Sequence, residues 1–361
     1  MRTKRKTLLF GVVALLANLG PGQRLPAAKV RWTADILERK ADWYGSREAR
    51  AIADNVLGYQ SPEGGWPKNT DLAASPPPPS MMGQRLGDSV NTIDNGATTT
   101  PMCFLARVGY MTGEVRYLQA VVRGFDYLIA AQYPNGGWPQ FFPLRQGYYS
   151  HITYNDNAMV NVLSLLGEIA AWKWPYSFFD HSQRLKAGAA ISRAIDCILR
   201  TQVKQGGKLT GWCAQHDEKT LQPAWARNFE PPSISGAESV GIVRFLMEID
   251  EPTPREIAAV EGAVAWFRAV AIPGLRLEGF TGADGKPDRR VVRDPNAKPL
   301  WARFYELGTN RPIFTGRDKI IRYTLSEIEH ERRNGYAYYG DWPATLLGQD
   351  YPRWREKHKV R

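Results

Sequence analysis

The amino-acid sequence predicts an all-α fold, an incomplete toroid of repeated helical hairpins whose long loops form a cleft. Apolar residues recur with a 3.6-residue period along most of the chain, and alternating strand patterns are scarce. A glycine–tryptophan turn recurs after several of these helical stretches. The loops are long and rich in Gly, Pro, Asn and Trp. Because closing hairpins into a ring requires long loops that gather at one end, we favour a toroid over an open solenoid.

The helical period predicts helices throughout the chain. Their predicted ranges are 32–43, 46–59, 98–111, 115–132, 156–173, 183–203, 236–249, 255–270 and 316–333. Two stretches interrupt the pattern, the four-proline run from Pro76 to Pro79 and the polar segment 277–300. Proline disfavours helix locally. Since the helical pattern resumes after each stretch, we expect neither to be a domain boundary.

The tetrapeptide Gly-Gly-Trp-Pro occurs twice, in "SPEGGWPKN" at 61–69 and in "YPNGGWPQF" at 133–141. Each copy follows a helical stretch, the first ending near Gln60 and the second near Gln132. Paired glycines allow a tight backbone after a helix end. We therefore expect these turns and their tryptophans to be scaffold.

Two further turns resemble the repeated one. "QGGKLTGWCAQ", with Trp212, is a degenerate copy, and "YGDWP" lies at 339–343. The order of helix, glycine turn, loop and helix repeats about three times. Such a repeat indicates an array of helical hairpins.

The loops after the first two turns end in an aspartate–asparagine pair at the next helix start. "TIDNGATTTPMCFL" carries Asp94 and Asn95, and "TYNDNAMVNVLSLL" carries Asp156 and Asn157. The loop after the third turn carries Arg227. If equivalent helix starts converge on one mouth, two carboxylates and an arginine share one cleft. Asp at a helix start is also a routine N-cap, so capping stays open for each aspartate.

A cluster of carboxylates and amides provides hard oxygen ligands, which suit Ca²⁺. The sequence therefore predicts a calcium site that uses Asp94 and Asp156. Zinc is not predicted, because no CxxC or Cys/His cluster suggests it. Three cysteines are too few for a disulfide scaffold.

The N-terminus has the pattern of a secretory signal peptide. Four of the first six residues are basic, a short apolar stretch runs from Leu8 to Leu19, and small residues follow. We predict a signal peptide at 1–28 and one catalytic domain at 29–361, with the protein secreted or periplasmic. The formal net charge is +11, and five basic residues precede residue 28, so the mature chain carries 11 − 5 = +6. A basic chain permits an anionic partner without identifying one.

Five motifs in order resemble a family 10 pectate lyase, and the resemblance runs from about residue 45 to 348. They are "GYQSPEGGWPKNTDL", "TIDNGATTT", "YNDNAMVNVL", "WCAQHDEKTLQPAWARNFEPPSISGAES" and "WARFYELGTNRPIFTGRDK". The resemblance implies an incomplete (α/α)₃ toroid. It also implies calcium-dependent β-elimination of α-1,4-linked polygalacturonate to 4,5-unsaturated oligogalacturonates. We expect a monomer that binds this polysaccharide, and neither nucleic acid nor, after signal cleavage, a membrane.

The resemblance also implies roles for individual residues. Asp156 matches the principal calcium ligand, and Asp94 matches an aspartate that joins the metal when substrate is bound. Asn95 is expected to contact the sugar or its carboxylate. The residues expected to bind substrate carboxylates are Arg303, Arg317 and Lys68.

Arg227 matches the proposed Brønsted base of the family. A free guanidinium has a pKa above about 12 and normally stays protonated. The base role therefore needs the pKa lowered by Ca²⁺, by other arginines and by desolvation. The alternative is that Arg227 only binds a carboxylate. We expect His216 to hold the loop that bears Arg227.

Two other functions remain open on the residues alone. A glycoside hydrolase on an α/α toroid, acting on an acidic polysaccharide, would use Asp94 and Asp156 as its acid and base. A calcium-dependent uronate-binding protein would need no catalytic group, and the presence of Arg227 in its motif argues against it.

Overall fold

The fold is described from a computed structural model, which places residues 30–359. The predicted signal peptide at 1–28 lies outside the described residues. Between residues 30 and 359, no helix is long and apolar enough to cross a membrane. The three cysteines in this range are free thiols.

Helices form the body of the protein and pack as consecutive hairpins. Thr99–Thr112 packs against Val115–Ala131, Ala158–Ala170 against His181–Thr201, and Glu238–Met247 against Pro254–Ala269. The other α-helices of the described chain are Arg47–Gly58, Pro79–Leu86, His330–Gly335, Pro343–Thr345 and Tyr351–His358. The repeat of helical hairpins is therefore present in the structure.

The expected all-α class is wrong, because 48% of the chain is helical and several loops pair as antiparallel strands. A helical toroid is likewise not established by the structure. The strand pairs are Ile152–Thr153 with Gln215–His216, Lys204–Gln205 with Lys208–Leu209, Ile234–Ser235 with Phe304–Tyr305, Leu275–Thr281 with Pro287–Arg293, Trp301–Ala302 with Tyr339–Gly340, and Phe314–Thr315 with Ile321–Arg322. Most are two residues long, which is too short to give an alternating pattern in sequence.

The longest strands form the hairpin Leu275–Thr281 with Pro287–Arg293, where the sequence predicts a polar insertion. Leu275 lies opposite Arg293 and Thr281 opposite Pro287. An Asp-Gly pair at the turn, with Gly285 at φ +76°, is the sequence signal of such a hairpin. Because both strands carry many polar side chains, the sequence does not show the alternation of apolar and polar residues that would predict them.

Helix boundaries agree with the predicted ranges to within a few residues, except for two ranges, and one helix forms where none is predicted. Residues 316–333 contain a strand, a short 3₁₀ helix and the helix His330–Gly335. The proline run does not prevent a helix, because Pro79 occupies the first turn of Pro79–Leu86, where no backbone N–H is needed. The stretch 32–43 forms two 3₁₀ helices, Ala34–Glu38 and Ala41–Gly45.

The repeated turns are scaffold, as the sequence predicts. Trp66, Trp138 and Trp212 are fully buried. Each donates its indole N–H to a carbonyl of the helix before its turn, at 2.8, 2.7 and 2.8 Å. The glutamine that follows each of these helices also repeats: the side-chain amides of Gln60, Gln132 and Gln202 each donate to two backbone carbonyls. Three equivalent hydrogen-bond sets therefore fix three equivalent turns.

A methyl group at Gly136 is expected to destabilise the fold. Gly136 has φ +93°, and a Cβ there would lie 2.0 Å from the backbone oxygen of Arg193. We expect Gly136→Ala to lower the free energy of unfolding by about 2–4 kcal/mol, measured by denaturant titration. The matched control is Gly188→Ala in the helix His181–Thr201, where a Cβ meets no atom within 4 Å. Equal stability of the two variants would contradict this account of the turn.

Candidate active site

The loops that follow the glycine–tryptophan turns meet at a cavity of about 100 Å³. It contains five of the predicted site residues: Lys68, Asp94, Asn95, Asp156 and Arg227. The remaining lining residues are Asn69, Gln140, Tyr148, Asn155, Gln215 and Glu230. Short strand contacts join these loops, since Thr92 pairs with Phe141, and Thr153 with Gln215.

Asp94 lies buried at the floor of the cavity. Its Oδ2 accepts from the Lys68 ammonium at 2.7 Å and from the Gln140 side-chain amide at 2.8 Å. Its Oδ1 is buried and has no hydrogen-bond partner in the described structure. Asp94 does not cap a helix with its side chain, which argues against the capping alternative.

The two aspartates are not in equivalent positions, contrary to the sequence alignment of the helix starts. The residue before Asp94 has φ −94° and ψ −6°, and the residue before Asn155 has φ −97° and ψ −10°. Asn95 and Asp156 follow with φ +53° and +50°. Asp94 therefore corresponds to Asn155, and Asn95 to Asp156. The acid comes before the amide in Asp94–Asn95, whereas the amide comes before the acid in Asn155–Asp156. The carboxylate of Asp94 therefore lies at the floor of the cavity and that of Asp156 at the rim.

Asp156 is the carboxylate at the rim, with 40% of its side chain exposed. It accepts from the Asn155 side-chain amide at 2.7 Å and contacts the Arg303 guanidinium at 3.4 Å. Desolvation raises the pKa of Asp156; the Arg303 charge lowers it, and Glu238 and Asp94 raise it further. A cation bound beside Asp156 would act in the opposite direction and lower this pKa, because it stabilises the ionised carboxylate.

Arg303 approaches Asp156 from beside the cavity, where its main partner is the buried carboxylate of Glu238. Burial lowers the pKa of Arg303, but Glu238, Tyr336 and Asp156 outweigh that effect and leave it raised. The Arg303 guanidinium also lies 4.8 Å from the Tyr336 ring centroid. Glu238 therefore binds an arginine of the site, and its other carboxylate oxygen accepts from the hydroxyl of Ser235.

Arg227 forms a two-point ion pair with Glu230. Its Nε donates to Glu230 Oε2 at 2.8 Å and its terminal nitrogen donates to Oε1 at 2.5 Å. Tyr336 also donates to Oε1, at 2.9 Å. Burial lowers the pKa of the Arg227 guanidinium, but Glu230 outweighs it and the pKa is raised. In this state Arg227 is a cation that faces the cavity.

Arg317 lies further out than the other predicted residues and does not line the cavity. Its guanidinium binds Glu331 at 2.9 and 3.0 Å and is 60% exposed. Arg317 and Arg227 lie 5.6 and 4.8 Å from the centroid of the same ring, that of Phe229. The two arginines thus extend from the cavity to the surface along one side.

The charged side chains at and beside the cavity are mostly paired with one another. Lys68 pairs with Asp94, Arg227 with Glu230, and Arg303 with Glu238. Asp156 has only the longer contact to Arg303 among the described ion pairs. It is therefore the carboxylate most available to a further cation.

Four cavity residues contribute a buried oxygen without a hydrogen-bond partner in the described structure. They are Asp94 Oδ1, Gln140 Oε1, Asn155 Oδ1 and Gln215 Oε1. Buried polar atoms are normally hydrogen-bonded, so four such oxygens around one cavity indicate a missing partner. One carboxylate and three amide oxygens are the donor types that Ca²⁺ takes.

Known proteins are similar to this chain in both sequence and structure. The sequence model of the pectic acid lyase family matches residues 60–347. A family 10 polysaccharide lyase from Cellvibrio cellulosa has 35% sequence identity and a TM-score of 0.75, covering 88% of this chain and 95% of that one. An aspartate-to-alanine mutant of such a lyase from the same organism, in complex with trigalacturonic acid, has 34% identity and a TM-score of 0.73, covering 89% and 98%. A search of curated proteins gives no match.

The matched range contains every residue of the cavity. The chain belongs to the pectic acid lyase family. The resemblance to family 10 pectate lyases is thereby confirmed, and the protein is a polysaccharide lyase with pectate lyase function.

Sequence reasoning missed several polar residues of the pectate lyase cavity. The repeat could have found Gln140, because it stands two residues after Trp138 as Lys68 stands two residues after Trp66. Both side chains donate to the same oxygen of Asp94. Tyr148 begins the short 3₁₀ helix Tyr148–Ser150, for which the sequence offers no signal.

His216 supports the loop of the lyase that precedes Arg227. Its Nε2 accepts from the backbone N–H of Cys213 at 3.1 Å, and its Nδ1 donates to the carbonyl of Leu221 at 3.0 Å. Desolvation in its fully buried position lowers the pKa to about 4. His216 is therefore a neutral imidazole with both nitrogens in use.

Acid is expected to destabilise the lyase through His216. Because its pKa is lower in the folded state than the ordinary 6.5, its contribution is complete above pH 6.5 and is lost as the pH falls towards 4. The lowered pKa corresponds to about 3 kcal/mol in the free energy of unfolding, at about 1.36 kcal/mol for each unit of pKa. We expect His216→Gln to flatten the pH dependence of unfolding in this window, as measured by urea titration at several pH values. The exposed His181 provides the control, since His181→Gln should keep the wild-type slope. A wild-type slope in His216→Gln would refute the assignment.

Proposed function

We propose that the protein cleaves α-1,4-linked polygalacturonate by calcium-dependent β-elimination and releases 4,5-unsaturated oligogalacturonates. The observation that carries the proposal is the meeting of Asp94, Asp156 and Arg227 at one cavity. The complex of a similar lyase with trigalacturonic acid supports the substrate class.

The donor set of the cavity fits Ca²⁺. Asp156 and Asp94 would hold the ion, with the unpartnered oxygens of Gln140, Asn155 and Gln215 as further candidates. When bound, Ca²⁺ would act as a Lewis acid that stabilises negative charge on the substrate carboxylate. No histidine or cysteine lines this cavity in the described chain, which disfavours zinc.

The cations around the cavity suit an acidic sugar. Lys68 and Arg303 are each held beside a carboxylate of the site, and Arg317 lies further along the same side as Arg227. A guanidinium fork matches a planar carboxylate. We assign Lys68, Arg303 and Arg317 to binding of uronate carboxylates and Asn95, exposed at the rim, to a contact with the sugar.

Arg227 is assigned to removal of the C5 proton. The C5–H bond breaks, its electron pair forms the C4–C5 double bond, and the C4–O4 bond breaks as the departing oxygen gains a proton from solvent. Arg227 must first give up its own proton, which Glu230 opposes. Positive charge from neighbouring arginines and from a bound cation would offset Glu230.

The Glu230 pair also supports a second role, in which Arg227 stays protonated and binds a substrate carboxylate. In that role it would contribute affinity rather than proton transfer. Kinetics of Arg227 variants separate the two roles.

We further propose that residues 1–28 direct export and that 29–361 act as one monomeric catalytic domain outside the cytoplasm. The basic and apolar N-terminal pattern supports export. Sequencing the N-terminus of the mature protein tests this, and an intact Met1 in cytosolic protein would contradict it.

The reaction is tested by the ultraviolet absorbance of polygalacturonate mixed with the protein at alkaline pH. We expect absorbance from unsaturated uronate that EDTA abolishes and Ca²⁺ restores. New reducing ends without this absorbance would indicate a hydrolase. Saccharide binding without cleavage would indicate a binding protein.

A further inference from the structure

A second, larger groove adjoins the catalytic cavity. Its volume is about 690 Å³, within the range of ligand pockets. It shares Lys68, Asn69 and Asn95 with the cavity. A polysaccharide that fills the cavity would therefore pass directly into this groove.

The outer wall of the groove is formed by the N-terminal segment, which includes Arg31 and Trp32. This wall lies before residue 60, where the family match begins. The match therefore assigns nothing to it.

Two contacts hold the segment in place. The backbone N–H of Trp32 donates to Asp71 Oδ1 at 2.9 Å, and the indole packs edge-on against the buried ring of Phe104 with 5.4 Å between centroids. Asp71 lies in the loop that follows Lys68. The wall is thus tied to the loop that supplies the cavity with its lysine.

Arg31 is exposed and makes no ion pair with any other residue between 30 and 359. Asp71 also lines the groove, but its Oδ1 is engaged by the backbone N–H groups of Trp32 and Ala73. An unpaired guanidinium suits a carboxylate ligand. The half-buried indole and the neutral polar side chains of Asn69 and Thr70 suit the rest of a sugar ring.

We propose that this groove is a distal subsite that binds a further galacturonate residue of the polysaccharide, with Arg31 pairing with its carboxylate. The inference rests on the proposed function, because it assigns the groove to the same polyanionic chain. It predicts that the protein favours longer oligomers through a segment outside the family match.

The test compares substrates of two lengths. We expect Arg31→Ala to lower kcat/KM about fivefold on hexagalacturonate, with a smaller loss on trigalacturonate, and Arg31→Glu to increase that difference. Salt should reduce the effect, because the pair is exposed. Arg353→Ala, a matched charge change on the C-terminal helix beside a different groove, should leave both substrates unaffected. Equal losses on the two oligomers, or no loss, would overturn the proposal.

Measuring oligogalacturonate binding by calorimetry tests the subsite independently of the lyase reaction. In an Arg227→Ala background, where turnover is slow, Arg31→Ala should weaken hexagalacturonate binding more than trigalacturonate binding. That result supports the subsite even if the reaction is not an elimination. Unchanged hexagalacturonate affinity rejects the subsite even if the protein is an active lyase.

Discussion

Replacing Asp156 with asparagine is expected to reduce kcat/KM on polygalacturonate by about a thousandfold. Asp156 is the cavity carboxylate with the longest described ion-pair contact, 3.4 Å to Arg303, so it should contribute most to holding a metal ion. Asparagine keeps an oxygen ligand but removes the charge. It also tolerates the left-handed backbone at this position, where φ is +50°, so the fold should survive.

The control for Asp156→Asn is Asp250→Asn, a similar loss of charge at an exposed residue that pairs with Lys357. It should keep wild-type activity. Thermal unfolding of both variants checks that the fold is intact. Near-normal activity of a folded Asp156→Asn protein would contradict the assignment of Asp156 as a calcium ligand.

Arg227→Ala is expected to lower kcat by about a thousandfold with little change in substrate affinity, because general-base removal acts on the chemical step. Arg227→Lys should recover part of the rate if any basic nitrogen at this position can accept the proton. The measurement is a full kinetic series on polygalacturonate. A loss confined to KM would instead assign Arg227 to carboxylate binding.

Glu230 provides a second test of the same role. Glu230 raises the pKa of Arg227, so Glu230→Gln should lower it. If Arg227 is the base, the rise of activity with pH should shift to lower pH in this variant. An unshifted pH profile in a folded Glu230→Gln protein would argue for the binding role.

The sequence allowed the hairpins to be predicted because their signals are local. Helical period, paired glycines and the tryptophan turn all lie within short stretches, and the structure places Trp66, Trp138 and Trp212 in equivalent buried positions. The short strand pairs could not be predicted in the same way. Three of the five two-residue pairs join segments far apart in the chain, as Thr153 meets Gln215, and no local pattern specifies such a contact.

The candidate site, like the fold, combines features that could be predicted from the sequence with features that could not. Asp94, Asp156 and Arg227 could be predicted from repeats and resemblance, and the structure brings them to one cavity. The depth of each carboxylate could not be predicted, because it depends on which residue adopts the left-handed conformation. The pairing of Glu238 with Arg303 could not be predicted either, because the two residues lie 65 positions apart in the chain.

We propose that Asp94 at the floor and Asp156 at the rim bind one calcium ion during catalysis. The most direct test is the Ca²⁺ dependence of the lyase rate in the wild type, Asp94→Asn, Asp156→Asn and the double variant. Ligands of the same ion should be coupled, so each single variant should need more Ca²⁺ for half-maximal rate, and the double variant should lose less than the product of the two losses. An unchanged Ca²⁺ requirement in both single variants, or activity that persists in EDTA, would contradict the claim.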